Sequence, residues 1–278
     1  MPSPRPSVRE LCRAKVNLTL HVGAKIEGGR FDGYHPVESL VVFADFGDVL
    51  TFEPSGSTSV GFEGPFGDAL FDEGHNSVWA AMECVSAPPH LVIIDKQLPL
   101  ASGLGGGTAD AAGVLRVFDP KGRLHGLEIG ADGPACRLSR TAMMQGIGDR
   151  ITPLPGLGQV PAVLVNPGVR VSTASVFETF DLLPREADPA STDAQGDLLS
   201  RAYSGENDLQ SAAIGEAPVI AEVLDAINAT EDCDLARMSG SGATCFGLYR
   251  SDAAAEAAAD TLADRGWWAR ACRLGDPD

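Results

Sequence analysis

Positive charge is scarce in this chain. Of 278 residues only four are lysine (Lys15, Lys25, Lys96 and Lys121), and the formal net charge is −17. A surface that grips nucleic acid or an anionic membrane needs a clustered positive field, so neither is expected as a partner. The six cysteines form no C-x-x-C pair, which removes the usual zinc and redox motifs and suits a reducing cytoplasm. The sequons at Asn17 and Asn228 then read as chance matches. No apolar run approaches the roughly 20 residues of a membrane helix. The opening "MPSPRPSVRE" lacks the short apolar core of a signal peptide. What is present, 44% hydrophobic residues against 21% charged, predicts a globular cytoplasmic protein with a sizeable core.

The pattern along the chain predicts an α+β protein in two domains, residues 1–152 and 153–278. "LCRAKVNLTLHVGAKI" alternates, with Val16, Leu18, Leu20 and Val22 on one face and Lys15, Asn17, Thr19 and His21 on the other, as a half-buried strand does. Strands follow at "SLVVFADF", "DVLTFEP" and "HLVIID", with a helix at "NSVWAAMECV" between the last two. "PLPGLGQVP" is the linker candidate, and residues 184–205 read as a polar stretch. The closing segments, "LARMS", "TCFGLY", a Ser251-capped alanine helix and "WWARACRL", suit a ferredoxin-like half.

Between strand-like "HLVIID" and helix-like "TADAAGVLRVF" lies "ASGLGGG", with four glycines from Gly103 to Gly107. Unpaired N–H groups at a helix start, reached without Cβ clashes, suit a phosphate; a plain glycine turn is the alternative. No Gly-Lys-Ser/Thr follows, so this is not a Walker A loop. Thr108 suits a helix cap or a phosphate or Mg²⁺ ligand.

Lys15 and Asn17 share one strand face, lining a cleft or facing solvent. Asp132, before Gly133-Pro134, suits a helix cap or, beside a cation and a hydroxyl, a catalytic acid–base group. Tyr34 and His35 follow an Asp-Gly turn, as ligand contacts or as loop anchors. "MSGSGATCFGLY" is either an inter-strand turn or a second wall against the first glycine loop.

Taken in order, "AKVNLTLHV", "DGYHPVESL", "LPLASGLGGGTADAA", "GADGPA", "VNPGVRVSTASVF" and "MSGSGATCFGLY" resemble the GHMP kinase superfamily over nearly the whole chain. Within it, Gly33-Tyr34-His35 and "PGVRVST" are similar to the members that phosphorylate the 2-hydroxyl of a cytidyl-linked methylerythritol in non-mevalonate isoprenoid synthesis. The resemblance implies a ribosomal-protein-S5-like N-terminal domain before a ferredoxin-like C-terminal one, and an ATP-dependent kinase, monomeric or homodimeric, using Mg²⁺. It implies Lys15 and Asp132 as catalytic residues, and Asn17, Tyr34, His35, Thr173 and Phe177 around the acceptor, with Tyr34 and Phe177 sandwiching the cytosine. Asn76 and Lys96 would flank the adenosine. Ser102, Gly103, Leu104, Gly105, Gly106, Gly107 and Thr108 would cradle the ATP phosphates, with Mg²⁺ arriving on the nucleotide. A homoserine- or mevalonate-type acceptor, or a nucleotide-binding homologue without activity, are the alternatives.

Overall fold

The computed structural model describes residues 7–70, 76–184 and 197–276. In chain order the first half contains β1 (Val8–Asn17), β2 (His21–Val22), β3 (Val37–Pro54), β4 (Ser59–Glu63), α1 (Ser77–Cys84), β5 (His90–Asp95), α2 (Gly106–Phe118), α3 (Gly133–Leu138), β6 (Ala142–Gly146) and β7 (Arg150–Pro153). The second contains β8 (Val160–Asn166), α4 (Thr173–Leu182), α5 (Leu198–Ser204), α6 (Gln210–Glu216), α7 (Val219–Asn228), β9 (Cys233–Met238), β10 (Cys245–Tyr249), α8 (Asp252–Ala263) and β11 (Trp268–Leu274).

β3 organises the first half. The sequence suggested two strands broken near Gly47, but residues 37–54 form one. Gly47 is not a breaker: a Cβ there would stand 1.9 Å from the Cys12 carbonyl oxygen, so glycine lets β1 cross closely. β1, β2, β5 and β6 all pair antiparallel with β3, and β4 joins β5 in parallel. The β6–β7 hairpin went unread in the sequence, since "AMMQGIGDRITP" shows no clean alternation. α2 lies on this sheet through Ala109, Ala111, Ala112, Val114 and Leu115, all buried. A Cβ on Gly113 would meet the Cys12 sulfur at 2.5 Å, so small residues set how near the helix comes.

The second half is ferredoxin-like. Its strands run in the order β11–β8–β10–β9, each pair antiparallel, with helices between β8 and β9 and between β10 and β11. Of the expected polar stretch, residues 198–204 are helical, capped by Asp197 accepting from Ser200 N–H at 2.9 Å; residues 185–196 lie outside the described residues. α6 was also missed, its "QSAAIGE" being too short to display a period.

The two halves share a sheet where β3 leaves β1. The β1 register skips between Arg13, opposite Gly47, and Lys15, opposite Phe43. Over that gap β3 reaches β11 at Ala44 and Leu274. The Arg13 guanidinium fills the opening, donating to the carbonyls of Ala44 at 2.7 Å, Phe43 at 3.0 Å and Ser139 at 3.2 Å, and to that of Gly275. Such an irregularity re-aims side chains, and the next outward-reaching residue is Lys15.

Candidate active site

Both faces of β1 are buried from Ala14 to Asn17, so its polar face does not meet bulk water there as a half-buried strand's would. Lys15 is 3% exposed and Asn17 1%, and both line a cleft of about 1210 Å³. Lys15 Nζ donates to Asp132 Oδ2 and to Asn17 Oδ1, each at 2.9 Å. The Asn17 amide passes on to the Ser39 hydroxyl at 2.8 Å. Asp132 occupies the residue before α3 but makes no side-chain cap bond. Its carboxylate is turned to Lys15 and is 32% exposed, which leaves it reachable by a reactant.

The glycine loop arches over this pair. Lys15 N–H donates to the Leu104 carbonyl at 2.9 Å, tying the loop to β1. Gly103 and Gly105 take left-handed φ of +77° and +66°, where side chains are strained. Gly105 caps α2 by conformation alone, so Thr108, in the first turn, has no capping bond. The N–H groups of Gly106, Gly107 and Thr108 precede the first possible intrahelical acceptor and lie on the cleft wall.

The second glycine segment is both things the sequence left open. Residues 239–244 turn between β9 and β10 and also brace the first loop. Ser239 Oγ accepts from Asn17 N–H at 3.1 Å and donates to the Gly103 carbonyl at 3.2 Å. A Cβ on Gly103 would lie 2.4 Å from the Ser239 carbonyl oxygen, and one on Gly240 2.9 Å from that of Gly103. Thr244 N–H holds the Ser102 carbonyl at 3.1 Å. Ser239 was not singled out from the sequence; its only signal was the Ser-Gly-Ser-Gly run.

Lys96 is not a free cation. Its ammonium donates to Asp48 Oδ2 and, at 2.8 Å, to Asp110 Oδ2, all three residues being buried. Burial lowers the Lys96 pKa and the two carboxylates more than reverse this, so it is raised. Burial pushes Asp110 up to about 7 against the pull of Lys96. Asp48 also accepts from the N–H groups of Gln97 and Leu98 at 2.6 and 2.9 Å, fixing how the chain leaves β5. Asp48 lies in no quoted motif, and Asp110, although inside "LPLASGLGGGTADAA", shows only as a charge on an otherwise alanine-rich helix face. Asn76 caps α1, its Oδ1 accepting from Trp79 N–H at 2.9 Å, and the residue lines the cleft.

At the other end of the cleft, His35 stacks on Phe177, centroids 5.1 Å apart and planes at 29°. Tyr34 meets Phe31 edge-on at 6.4 Å and is 53% exposed. Thr173 shares a hydrogen bond of 2.8 Å with Ser241, linking the start of α4 to the second glycine turn. Lys25 and Asp181 also line this end, so three of the four lysines meet the one cleft. The run from Asp119 to Ile129 is short but well tied. Asp119 accepts from Leu124 N–H at 2.9 Å and Arg123 Nε at 3.0 Å, and its carbonyl from Arg137 at 2.6 Å, which delivers Asp132 to Lys15.

Comparison with known proteins agrees with this geometry. Residues 191–266 match the family model described as GHMP kinases C terminal. A 4-diphosphocytidyl-2-C-methyl-D-erythritol kinase from Paracoccus denitrificans is 44% identical, the match covering 96% of each chain. One of the same name from Dinoroseobacter shibae is 42% identical over 96% of this chain and 94% of its own. A crystal structure of a 4-(cytidine 5'-diphospho)-2C-methyl-D-erythritol kinase, 32% identical, superposes with a TM-score of 0.78 over 97% of this chain and all of the other. A homoserine kinase from Cytophaga hutchinsonii, at 17% identity and TM-score 0.64 over 98% of this chain and 95% of its own, shares the fold alone. At this identity over nearly full length, the chain belongs to the 4-diphosphocytidyl-2-C-methyl-D-erythritol kinase family of GHMP kinases.

Proposed function

We propose that the protein transfers the γ-phosphoryl group of ATP to the 2-hydroxyl of 4-diphosphocytidyl-2-C-methyl-D-erythritol. The observation that carries this reading is the Lys15–Asp132 pair, 2.9 Å apart, at the foot of two interlocked glycine loops in one cleft. Catalysis of phosphoryl transfer is chiefly positioning and charge stabilisation, and each part has a candidate here. Asp132 orients the acceptor hydroxyl and takes its proton as the oxygen attacks the γ-phosphorus; the bond to the β–γ bridging oxygen breaks and ADP leaves. Lys15 offsets charge on the transferring group, and Asn17 holds Lys15 in place. The N–H groups from Ser102 to Thr108 cradle the phosphates, while Asn76 and Lys96 sit on the adenosine side. Lys96 contributes through its single remaining donor, or through Asp48 and Asp110, since two of its three N–H groups are engaged.

Around the loop the protein offers the hydroxyl-bearing residues Thr108, Ser102 and Ser77 among backbone groups. That donor set suits Mg²⁺, which keeps waters and binds mainly through phosphate oxygens. When bound it would screen phosphate charge, and Thr108 is the residue that would meet it.

Tyr34, His35 and Phe177 form the aromatic end for the cytosine, with Thr173 supporting it. In the present arrangement the ring lying on Phe177 is that of His35, so the base inserts between Tyr34 and the His35–Phe177 stack or displaces His35. The division at residues 152 and 153 belongs to the same proposal, supported by the irregular connection of residues 154–159 between β7 and β8. ADP release with the cytidyl substrate tests the reading. Release is expected in the wild type and its near loss in Asp132→Ala, whereas equal rates in the two, or turnover with homoserine instead, refute it.

A further inference from the structure

From the Lys15 ammonium a chain of hydrogen bonds runs back into the protein, donor to acceptor all the way. Lys15 Nζ donates to Asn17 Oδ1 at 2.9 Å, Asn17 Nδ2 donates to Ser39 Oγ at 2.8 Å, and Ser39 Oγ donates to the Thr19 carbonyl. The direction is set from the far end. A carbonyl only accepts and a serine hydroxyl has one hydrogen, so Ser39, having given it to Thr19, meets Asn17 as an acceptor. The Asn17 amide must then turn its nitrogen to Ser39 and its oxygen to Lys15. Turned the other way, it would set its oxygen against a Ser39 lone pair and its N–H groups against an ammonium. Bonds in such a chain polarise one another, so the Asn17 oxygen holds Lys15 more firmly than an isolated amide would.

The far end of the chain is itself anchored. Thr19 follows the last β1–β3 pair, Asn17 opposite Val41. Its hydroxyl accepts from Leu40 N–H at 3.0 Å, while Leu18 N–H donates to the Leu40 carbonyl at 2.8 Å, so the Thr19 carbonyl is held beside Ser39 on β3. Ser39 and Asn17 are 0% and 1% exposed, and bulk water does not compete for either. A hydroxyl buried on a strand costs free energy unless it is bonded, so local strand energetics give no reason for a serine there. With two of its three hydrogens held by Asn17 and Asp132, Lys15 has one left, and the other two fix where it points.

We propose that Ser39 is a positioning residue for the phosphoryl transfer: it fixes the Asn17 amide oxygen-first on Lys15 and so aims the remaining Lys15 hydrogen at the transferring group. The proposal rests on the reading above that Lys15 offsets charge on that group. Ser39 lies behind Asn17, touches no reactant and acts only through Asn17 and Lys15. An interaction that strengthens as charge shifts in the transition state lowers kcat when it is lost and leaves KM in place.

Steady-state ADP release with the cytidyl substrate tests this in Ser39→Ala and in the volume-matched pair Ser39→Thr and Ser39→Val. Ser39→Ala is expected to lower kcat roughly 10- to 100-fold, the range for a buried polar group left unpaired, with both KM values within about threefold of wild type. Ser39→Thr keeps the hydroxyl and is expected to turn over at least about tenfold faster than Ser39→Val. In an Asn17→Ala background, Ser39→Ala is expected to change kcat less than about threefold, because the residue through which it acts is gone. An unchanged kcat in Ser39→Ala, equal kcat in the Thr and Val variants, or the full loss in the Asn17→Ala background overturns the proposal. In nitrogen-15-labelled wild type, the Asn17 side-chain amide is expected to exchange hydrogen with solvent at least about 100-fold more slowly than a free asparagine amide. Exchange at the free rate overturns the proposed orientation without any variant having to fold. Wild-type turnover separates the two failures: its absence removes the functional reading and this proposal together, whereas normal turnover with unaltered Ser39 variants removes the role of Ser39 alone.

Discussion

Lys15 and Lys96 are both buried, both line the same cleft and both donate to aspartates, yet their surroundings assign them opposite work. Lys15 meets one carboxylate that is a third exposed. That pair can admit a third party, because Asp132 keeps an open side toward the cleft. Lys96 meets two carboxylates that are 0% and 4% exposed. Its charge is absorbed into the junction of β3, β5 and α2, and Asp110 Oδ1 is buried there without a hydrogen-bond partner. A buried cation with one accessible counter-ion is equipped for chemistry, while a buried cation locked between two acids is equipped to hold elements together, at a desolvation cost that good geometry must offset.

Four experiments press on that contrast. Asp132→Ala is expected to lower kcat by roughly 10²–10⁴, read by ADP release, with a melting temperature close to wild type because Lys15 keeps Asn17 and the cleft opens to water. The corresponding change at the other lysine should show the reverse balance. Lys96→Met leaves two buried acids without their cation, and a stability loss of about 3–5 kcal/mol is expected in urea unfolding, whereas Lys15→Met should remain near wild type in stability and fail in turnover. Equal destabilisation by the two lysine variants would erase the distinction.

Gly103→Ala places a Cβ 2.4 Å from the Ser239 carbonyl oxygen at a φ of +77°. Separation of the loops should cost about 1–3 kcal/mol and raise KM for ATP more than KM for the cytidyl substrate, as steady-state kinetics will show. The smallest effect belongs to Asp119, held down to about 2 chiefly by the Leu124 N–H, with Arg123 and Arg137 adding to it. A carboxylate depressed in the folded state contributes stability above its unfolded pKa of about 4 and loses it as pH falls through the folded value. Wild type should therefore be more stable than Asp119→Asn at pH 6, with the difference closing between pH about 4 and about 2 in thermal unfolding.

Much of the molecule was legible because local pattern and tertiary role coincided. The helix after the glycine loop, the ferredoxin-like order of the closing strands and the Ser251 cap, accepting from Ala254 N–H at 3.2 Å, all express short-range chemistry. Legibility failed where a residue's meaning came from a distant neighbour. Gly47 looked like a strand break because its reason, the Cys12 carbonyl, lies far away in sequence. The ion pairs of Lys96 went unannounced because Asp48 lies on β3, far from it in sequence.

The sequence by itself determined that this chain would build a strand–glycine loop–helix unit, and it named Lys15, Asp132, Tyr34 and His35 through motifs whose order is that of a known kinase family. Only the tertiary structure decided which polar residues face each other. It turned Asp132 from a helix cap toward Lys15, spent Lys96 on two buried acids, laid the second glycine turn against the first and set Asp181 beside His35. The physical reason is range: caps, turns and periodicity act over a few residues, whereas the electrostatic partners that give a charge its role in this cleft are brought together only when β1, β3 and α4 fold around it.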